Sequence, residues 1–322
     1  MDDVTDTVFR RVIQECASPD LFFTEFINVD GLQSSGRINI FKRLRATSKE
    51  KPLVAQFWGK NPKNYYKTAK QIVDGSLRAE LGNELEFVGF DINMGCPDKA
   101  IMKNGCCGAL INDRSLAGEI INASKEGLDD KIPLSVKTRL GLGQIDLSWI
   151  EFLLSYELAM LSVHARTVKE KSLVPAHHEF FRQIVTMRDK QTPHTLVVGN
   201  GDIASREQGE QICKVSGLDG VMIGRGIFDD PYVFSGDSPW EYFSPIERVR
   251  LYKRHVELFE NTWRGNERKV HTLNKFCKIY ISGFDGAKEY REQLMRASTI
   301  SELKNVLVSL EANSNTFSPI VT

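Results

Sequence analysis

Cys96 stands in the run Phe90-Asp91-Ile92-Asn93-Met94-Gly95-Cys96-Pro97. A residue directly before proline is turned away from helical geometry. The segment Phe87-Val88-Gly89-Phe90-Asp91-Ile92 has the apolar character of a buried strand. The thiol therefore falls on the loop just past a strand end, where it can face a ligand instead of packing in a core. An unperturbed thiol has a pKa of about 8.5, so near neutral pH it carries a proton it can donate. Other chemistry-bearing residues recur at the same kind of position. Gln56 closes a short apolar run, Lys137 and Arg139 close Ser135–Arg139, and His164 and Arg166 close Ser162–Arg166. Gly199-Asn200-Gly201-Asp202 and Gly224-Arg225-Gly226 follow two further runs.

The elements that must position these residues alternate. Strands are predicted at Leu21–Phe26, Leu53–Phe57, Phe87–Ile92, Leu134–Thr138, Met160–His164, Leu196–Gly199 and Gly220–Ile223. Helical stretches lie between them at Tyr65–Asp74, Leu116–Glu126, Ser148–Tyr156, Phe180–Arg188 and Glu207–Ser216. Strand–helix alternation implies a parallel sheet with crossover helices. Seven such strands suit an α/β fold of the (β/α)8 TIM-barrel type better than a doubly wound sheet. No strand signal precedes Leu21, because Met1 is followed at once by the polar run Asp2-Asp3-Val4-Thr5-Asp6. The barrel's first strand is thus expected to be missing or truncated to a remnant. In such a barrel the working residues sit at the C-terminal ends of the strands, with phosphate bound by the last two loops. The two glycine loops accordingly point to a phosphorylated cofactor. Lys137 is a fixed cation of the kind that stabilises an anionic reduced flavin, and Gln56 offers both a donor and an acceptor to the ring edge of a flavin or a pyrimidine.

Beyond Ser235 the strand signals stop. Ser244-Pro245-Ile246-Glu247 opens a helix with a capping box, and Ile246, Val249, Tyr252, Val256, Phe259 and Trp263 give it one apolar face. A second helix is expected through Leu273, Phe276, Tyr280 and Ile281, a third over Glu289–Ala297 and a fourth from Thr299 through Leu310. Helices with single apolar faces pack as a bundle. The domain division that follows is a barrel over 1–234 and an all-helical bundle over 235–322.

Bulk properties exclude several classes. The chain has 322 residues, 41% hydrophobic and 26% charged, with zero formal net charge. Those are the proportions of a soluble globular protein, with no apolar run near the roughly 18 residues of a membrane span and no secretory leader pattern. The six cysteines have no C-x-x-C spacing, which argues against zinc or iron–sulfur sites and suits a cytoplasmic protein with free thiols. No metal is expected: His177-His178 are adjacent and lack useful ligand spacing. Cys106 and Cys107 read as small packing residues. Charge is locally uneven. Arg248, Arg250, Lys253, Arg254, Arg264, Arg268, Lys269, Lys275 and Lys278 face only Glu257, Glu260 and Glu267 across the same stretch, an excess able to meet RNA phosphates.

Taken in order, Val4-Thr5-Asp6 with Phe9-Arg10, Gln56, Asn93-Met94-Gly95-Cys96-Pro97, Val136–Gly141, His164-Ala165-Arg166-Thr167, Asn200-Gly201-Asp202 and Gly224-Arg225-Gly226 resemble the tRNA-dihydrouridine synthase family. The resemblance spans nearly the whole predicted barrel. The C-terminal segment resembles the family's tRNA-binding helical domain in length and type. It implies bound FMN, NADPH as reductant, tRNA as partner, and reduction of chosen uridines to 5,6-dihydrouridine. Carried over, Cys96 is the proton donor. Gln56, Lys137 and His164 meet the flavin ring region, and Asn200, Gly201, Asp202, Gly224 and Arg225 hold its phosphate end. Met1, Asp2 and Asp3 lie against the flavin, while Asn93, Arg139 and Arg166 hold the uridine. The sequence departs from the family pattern at Asp3 (often Gly), at Leu173 (often Tyr), in an insertion over Ser76–Glu86, and at Cys106-Cys107 in a stretch that is usually glycine-rich. Two other readings share the flavin loops: a dihydroorotate-oxidase-like FMN dehydrogenase of a free pyrimidine, and a tRNA-binding scaffold with secondary flavin chemistry.

Overall fold

The computed structural model describes residue 1 and residues 3–313. Its sheet has seven strands: β1 Phe22–Asn28, β2 Leu53–Trp58, β3 Gly89–Asn93, β4 Leu134–Arg139, β5 Met160–His164, β6 Leu196–Asn200 and β7 Gly220–Met222. Every neighbouring pair is parallel, and the strands lie in sequence order from β1 to β7. A doubly wound sheet reverses its order at a switch point. Unbroken sequential order is the winding of a (β/α)8 barrel, here built from seven strands among the described residues.

Burial on both faces explains the strand sequences. All five residues of β3 are buried, so the strand reads as an apolar run instead of an alternating one. The crossover helices begin at side-chain caps: Asn61 for Pro62–Val73, Asp113 for Arg114–Leu128, Asp146 for Leu147–Leu154 and Ser205 for Arg206–Ser216. Each cap accepts backbone N–H groups left open in the first turn. The first two of these helices pack closely at Gly127, where an added Cβ would lie 2.5 Å from the carbonyl oxygen of Tyr66.

The sequence reading divides the chain after residue 234. The contacts of the structure divide it earlier, with Pro19–Gly226 and Met1 in one compact unit and Asp3–Ser18 joined to the chain from Ile227 onward in the other. The second unit contains a helix the sequence reading lacks, Thr7–Cys16, capped by Asp6. Asp6 also accepts from Trp263 Nε1 at 3.1 Å and from Arg268 Nη1 at 2.8 Å. Phe9 stacks on Phe276 with centroids 4.9 Å apart, beside His255 and Phe228. The remaining helices are Pro245–Thr262, with the predicted capping box, then Ala287–Arg296 and Ile300–Ala312. The helix expected through Leu273 and Tyr280 is instead two single turns, His271–Asn274 and Cys277–Tyr280. Between them Asn274 is drawn away to donate to the carbonyl of Ala297 at 2.7 Å. No helix among the described residues is long and apolar enough to cross a membrane.

Candidate functional site

Parallel register sets the site out in tiers. Gln56 lies opposite Asp91 and Asp91 opposite Ser135. One step up, Asn93 faces Lys137 and Lys137 faces Ser162. At the strand ends Arg139 faces His164 and His164 faces Asn200. Such tiers are how a barrel brings distant sequence segments to one end.

Cys96 is half-buried on the loop after β3, and its loop is held from several directions. Asn93 Oδ1 accepts from the N–H groups of Gly95 (3.1 Å) and Cys96 (3.0 Å). Arg139 Nε donates to Gly95 O at 2.9 Å. Met94 donates to Lys137 O at 2.7 Å and accepts from Thr138 Oγ1 at 3.2 Å. An added Cβ at Gly95 would sit 3.0 Å from the Thr138 backbone, so only glycine lets the loop lie this close. The thiol is acidified to about 7, chiefly by a hydrogen bond with the Cys107 thiol; burial opposes this, and the Asp98 backbone and the Arg139 charge assist it.

Beneath the loop, Gln56 Nε2 donates to Asp91 Oδ2 at 2.7 Å, and Gln56 Oε1 accepts from Asn93 Nδ2 at 3.2 Å. Ser135 Oγ donates to Asp91 Oδ1 at 2.5 Å. Both ends of the Gln56 amide are therefore engaged by protein, and the residue steadies Asn93. Asp91 is fully buried and pushed up to about 6 by burial, against its two hydrogen bonds and the Lys137 charge. Nothing in the sequence reading gave Asp91 a role. Its signal was an acidic residue inside an otherwise apolar strand.

Three cations gather at the ends of β4 and β5. Lys137 is lowered to about 8 by burial and by Arg139, while Asp91 and Cys96 pull the other way. No side chain or carbonyl among the described residues accepts from its ammonium. Ser162 Oγ, on the adjoining strand, is buried and likewise has no partner among the described residues. Arg139 is lowered to about 10 by burial and Arg166. Its Nη1 donates to Thr167 O (3.1 Å) and Lys171 O (2.9 Å), tying down the loop after β5. His164 is driven to about 2 by burial and by Arg139, Lys137 and Arg166, so it stays neutral. A tier with this much positive charge and so little compensation suits an anion.

The loops after β5, β6 and β7 meet at Asp202. Its carboxylate accepts from Arg166 Nη2, from Ala176 N at 3.1 Å and from Arg225 Nη2 at 3.3 Å. Arg166 is 2% exposed and also donates to Val174 O at 2.6 Å. It is thereby a brace between loops. Asn200 donates to Met222 O at 2.7 Å, and Gly201 O accepts from His178 Nε2 at 2.7 Å. Gly201 has φ +119, whereas a Cβ at Gly224 would meet open space. Asp202 at φ 48 is the strained non-glycine of the group. His177 sits between Glu170 (3.1 Å) and Glu179 (3.3 Å) and is raised chiefly by its hydrogen bond to Glu170. Glu170 also caps Thr167 N at 2.7 Å. Leu173, on the same loop, is 84% exposed.

The structure therefore brings together Cys96, Gln56, Asn93, Lys137, Arg139, His164, Arg166, Asn200, Gly201, Asp202, Gly224 and Arg225 within the barrel unit, to which Met1 also belongs. Asp2 lies outside the described residues. Asp3 belongs to the helical unit, where its carboxylate lies 3.5 Å from Arg268 and its carbonyl accepts from Lys275. Cys106 and Cys107, read from sequence as small packing residues, are both buried in the core. A separate cleft of about 470 Å³, lined by Ile72, Leu77, Phe87 and Lys131 among others, adjoins the starts of β3 and β4 and not their functional ends. Among the described residues no three His, Cys, Asp or Glu side chains cluster as metal ligands.

A Staphylococcus epidermidis protein carrying the name tRNA-dihydrouridine synthase is 40% identical over 99% of this chain and 94% of its own. One from Staphylococcus aureus is 41% identical over 97% of this chain and 92% of its own, and one from Bacillus subtilis is 40% identical over the same shares. Residues 1–316 match the family described as dihydrouridine synthase. With that match and with relatives about 40% identical over nearly the whole chain, the chain belongs to the dihydrouridine synthases.

Proposed function

We propose that this protein reduces the double bond between carbons 5 and 6 of uridines in tRNA, using bound FMN recharged by NADPH, and that Cys96 supplies the proton. The reading is carried by one juxtaposition: a half-exposed, acidic thiol fixed beside an unpartnered lysine at adjoining strand ends. FMN fits the residues present. Lys137 and the orphaned Ser162 hydroxyl lack protein partners among the described residues. The cations around His164 favour an anionic ligand, and Gly224 leaves open space on the last loop. Lys137 and His164 would hold the ring region; Asn200, Gly201, Asp202, Gly224 and Arg225 would hold the phosphate end. When bound and reduced, the flavin supplies the hydride for carbon 6.

The remaining chemistry belongs to this chain. Hydride arriving at carbon 6 leaves negative charge on carbon 5 and the adjacent carbonyl. Arg139 would stabilise that charge: its Nε and Nη1 are committed to the loops, and its Nη2, which makes no hydrogen bond among the described residues, is left to donate. A preorganised donor of this kind lowers the barrier without reorganising at the moment of reaction. Cys96 then gives its proton to carbon 5, and its thiolate is reprotonated from solvent. Asn93, fixed by Gln56, holds the Cys96 loop in place. To reach these groups the base must leave the tRNA stack. The helical unit is the second contact surface for tRNA, and a tRNA substrate places the reaction in the cytoplasm. The test is dihydrouridine formation, read by mass spectrometry, with unmodified tRNA against free uracil or orotate. Yellow protein that converts only tRNA is expected. A colourless protein that takes up no FMN, or conversion of the free pyrimidine alone, overturns the reading.

A further inference from the structure

We propose that Asp91, the buried acid of β3, is a positioning residue of the reaction: it fixes which way the Gln56 and Asn93 amides point, and through them it holds the backbone that carries Cys96. The inference rests on the reading of Cys96 as proton donor. Its ground is a continuous run of hydrogen bonds across three strands. Gln56, Asp91 and Ser135 lie in register on β2, β3 and β4, so their side chains share one tier. Asn93 follows Asp91 by two residues on the same strand and faces the same way, one tier up. Ser135 Oγ donates to Asp91 Oδ1 at 2.5 Å, and Gln56 Nε2 donates to Asp91 Oδ2 at 2.7 Å. Gln56 Oε1 in turn accepts from Asn93 Nδ2 at 3.2 Å. Asn93 Oδ1 accepts from Gly95 N at 3.1 Å and from Cys96 N at 3.0 Å. The backbone of Gln56 is itself pinned, since its N–H donates to Thr24 Oγ1 at 3.0 Å.

The polarity of this run has one source. An amide can be turned end for end with little change of shape, so its partners decide where the oxygen goes. A carboxylate only accepts. Burial raises Asp91 to about 6, against its two hydrogen bonds and the Lys137 charge, so near neutral pH it is ionised. It obliges Gln56 to turn its NH2 group toward Asp91. That leaves the Gln56 oxygen for the Asn93 NH2 group, and the Asn93 oxygen for the two loop N–H groups. Without Asp91 both amides can reverse, and Asn93 would then set donors against donors. Arg139 and Lys137 also hold the loop, through Gly95 O and Met94 N, but the acceptor for Cys96 N is Asn93. The placement of the thiol-bearing residue therefore depends on the acid beneath it.

The test follows the last bond of the run. Amide hydrogen exchange at Cys96, resolved by NMR on the full chain, reads that bond without requiring turnover. Asp91→Leu fills the space but offers no acceptor, and Cys96 exchange is expected to speed about tenfold. Gln56→Met cuts the run at the next joint, gives the same rise and guards against a folding defect in the leucine variant. Asp91→Asn can turn its oxygen to Gln56 and its NH2 group to the Ser135 hydroxyl, which then accepts; it brings exchange back to within about threefold of wild type. In Asp91→Leu, kcat for dihydrouridine formation falls about 10- to 100-fold while KM for tRNA stays within about threefold. In an Asn93→Ala background the same substitution changes kcat by less than about twofold, because its route to Cys96 is already gone. Wild-type exchange at Cys96 in both Asp91→Leu and Gln56→Met overturns the proposal. An asparagine variant that loses as much as leucine, or additive effects of Asp91→Leu and Asn93→Ala, overturns it too. Dihydrouridine formation at the wild-type rate by Cys96→Ala would overturn the proton-donor reading alone, since the exchange measurement stands apart from it.

Discussion

The helical unit and the strand ends of the barrel both look basic in sequence, yet they treat positive charge in opposite ways. Between Arg248 and Lys278 much of the charge is answered inside the unit. Lys253 meets Glu311 at 2.5 Å, Arg254 meets Glu15 at 2.7 Å and Arg268 meets Asp6 at 2.8 Å. Lys275 donates to Asp3 O, and Arg248 lies 4.7 Å over the Trp240 ring while donating to its carbonyl. At the strand ends, Lys137 has no acceptor and neighbours two arginines and a neutral histidine. An exposed ion pair such as Arg254–Glu15 is worth about 0–1 kcal/mol, and the buried Arg268–Asp6 pair is compensated within its own unit, so the helical pairs can be explained by local structure. An uncompensated ammonium in a desolvated site costs stability, and it persists where a ligand answers it.

The sharpest break in this comparison is at Cys96. Cys96→Ala should leave FMN bound and tRNA bound but reduce dihydrouridine formation about 10²- to 10⁴-fold, the usual scale for a lost general acid. Mass spectrometry of nucleosides from tRNA after reaction gives the measurement. Next in size is Lys137→Met. Loss of a charge-assisted contact should weaken FMN binding about 10- to 100-fold, read by flavin fluorescence on titration. Lys253→Met, which removes a cation already paired with Glu311, should leave FMN binding within about twofold. Equal effects of the two lysine variants would erase the distinction drawn here.

The sheet was legible because parallel strands buried on both faces read as apolar runs between helical stretches. β5 begins and ends where the sequence places it, and the others shift by two residues or fewer at either end. The helix Thr7–Cys16 was not found, although Asp6 as cap and Val8, Phe9, Val12 and Ile13 as an apolar face were all present. It lies in a segment read for the lack of a strand and for the motif Val4-Thr5-Asp6 with Phe9-Arg10, and its partners are some 250 residues away, as the Asp6–Trp263 and Asp6–Arg268 bonds show. The site was legible as a set of strand ends, since topology alone gathers those. What each side chain holds was not. Gln56 and Asn93 offered free amides on paper, but the structure commits them to Asp91 and to the Cys96 loop. Hydrogen-bond partners distant in sequence leave no local trace.

A smaller effect tests the RNA side. Among the cations of that stretch, Arg250, Arg264, Lys269 and Lys278 are exposed and have no side-chain hydrogen bond or ion pair among the described residues. Replacing these with glutamine should weaken tRNA binding about tenfold near 0.1 M salt and flatten its log–log salt slope by as much as about 3. The pair Lys253→Gln and Arg254→Gln should leave the slope unchanged. Filter binding across a salt series checks both. If the paired set flattens the slope as much as the free set, the ion pairs to Glu311 and Glu15 open on RNA.

The smallest effect separates the histidines of the two regions. His255 is fully buried, bonded through Nδ1 to the Tyr280 hydroxyl at 3.2 Å, and lowered to about 4 by burial, with Asp6 opposing. His164 is lowered by burial and by three cations together. In the unfolded chain a histidine titrates near 6.5. Since both folded values lie below that, the unfolded state takes up more protons as pH falls beneath 6.5. Each histidine's stabilising contribution is therefore complete above that pH and declines on acidification. For His255 the decline from pH 8 to pH 6 is about 1 kcal/mol. His255→Phe should remove that portion of the acid sensitivity, read from urea midpoints followed by tryptophan fluorescence. The His255 portion should be insensitive to salt, because burial causes it. At His164 part of the shift is charge repulsion, and an anion bound among Lys137, Arg139 and Arg166 would lift its titration. Imidazole NMR with and without FMN should therefore move His164 and leave His255 in place; movement of both, or of neither, would show that the cations at the strand ends do not act as an anion site.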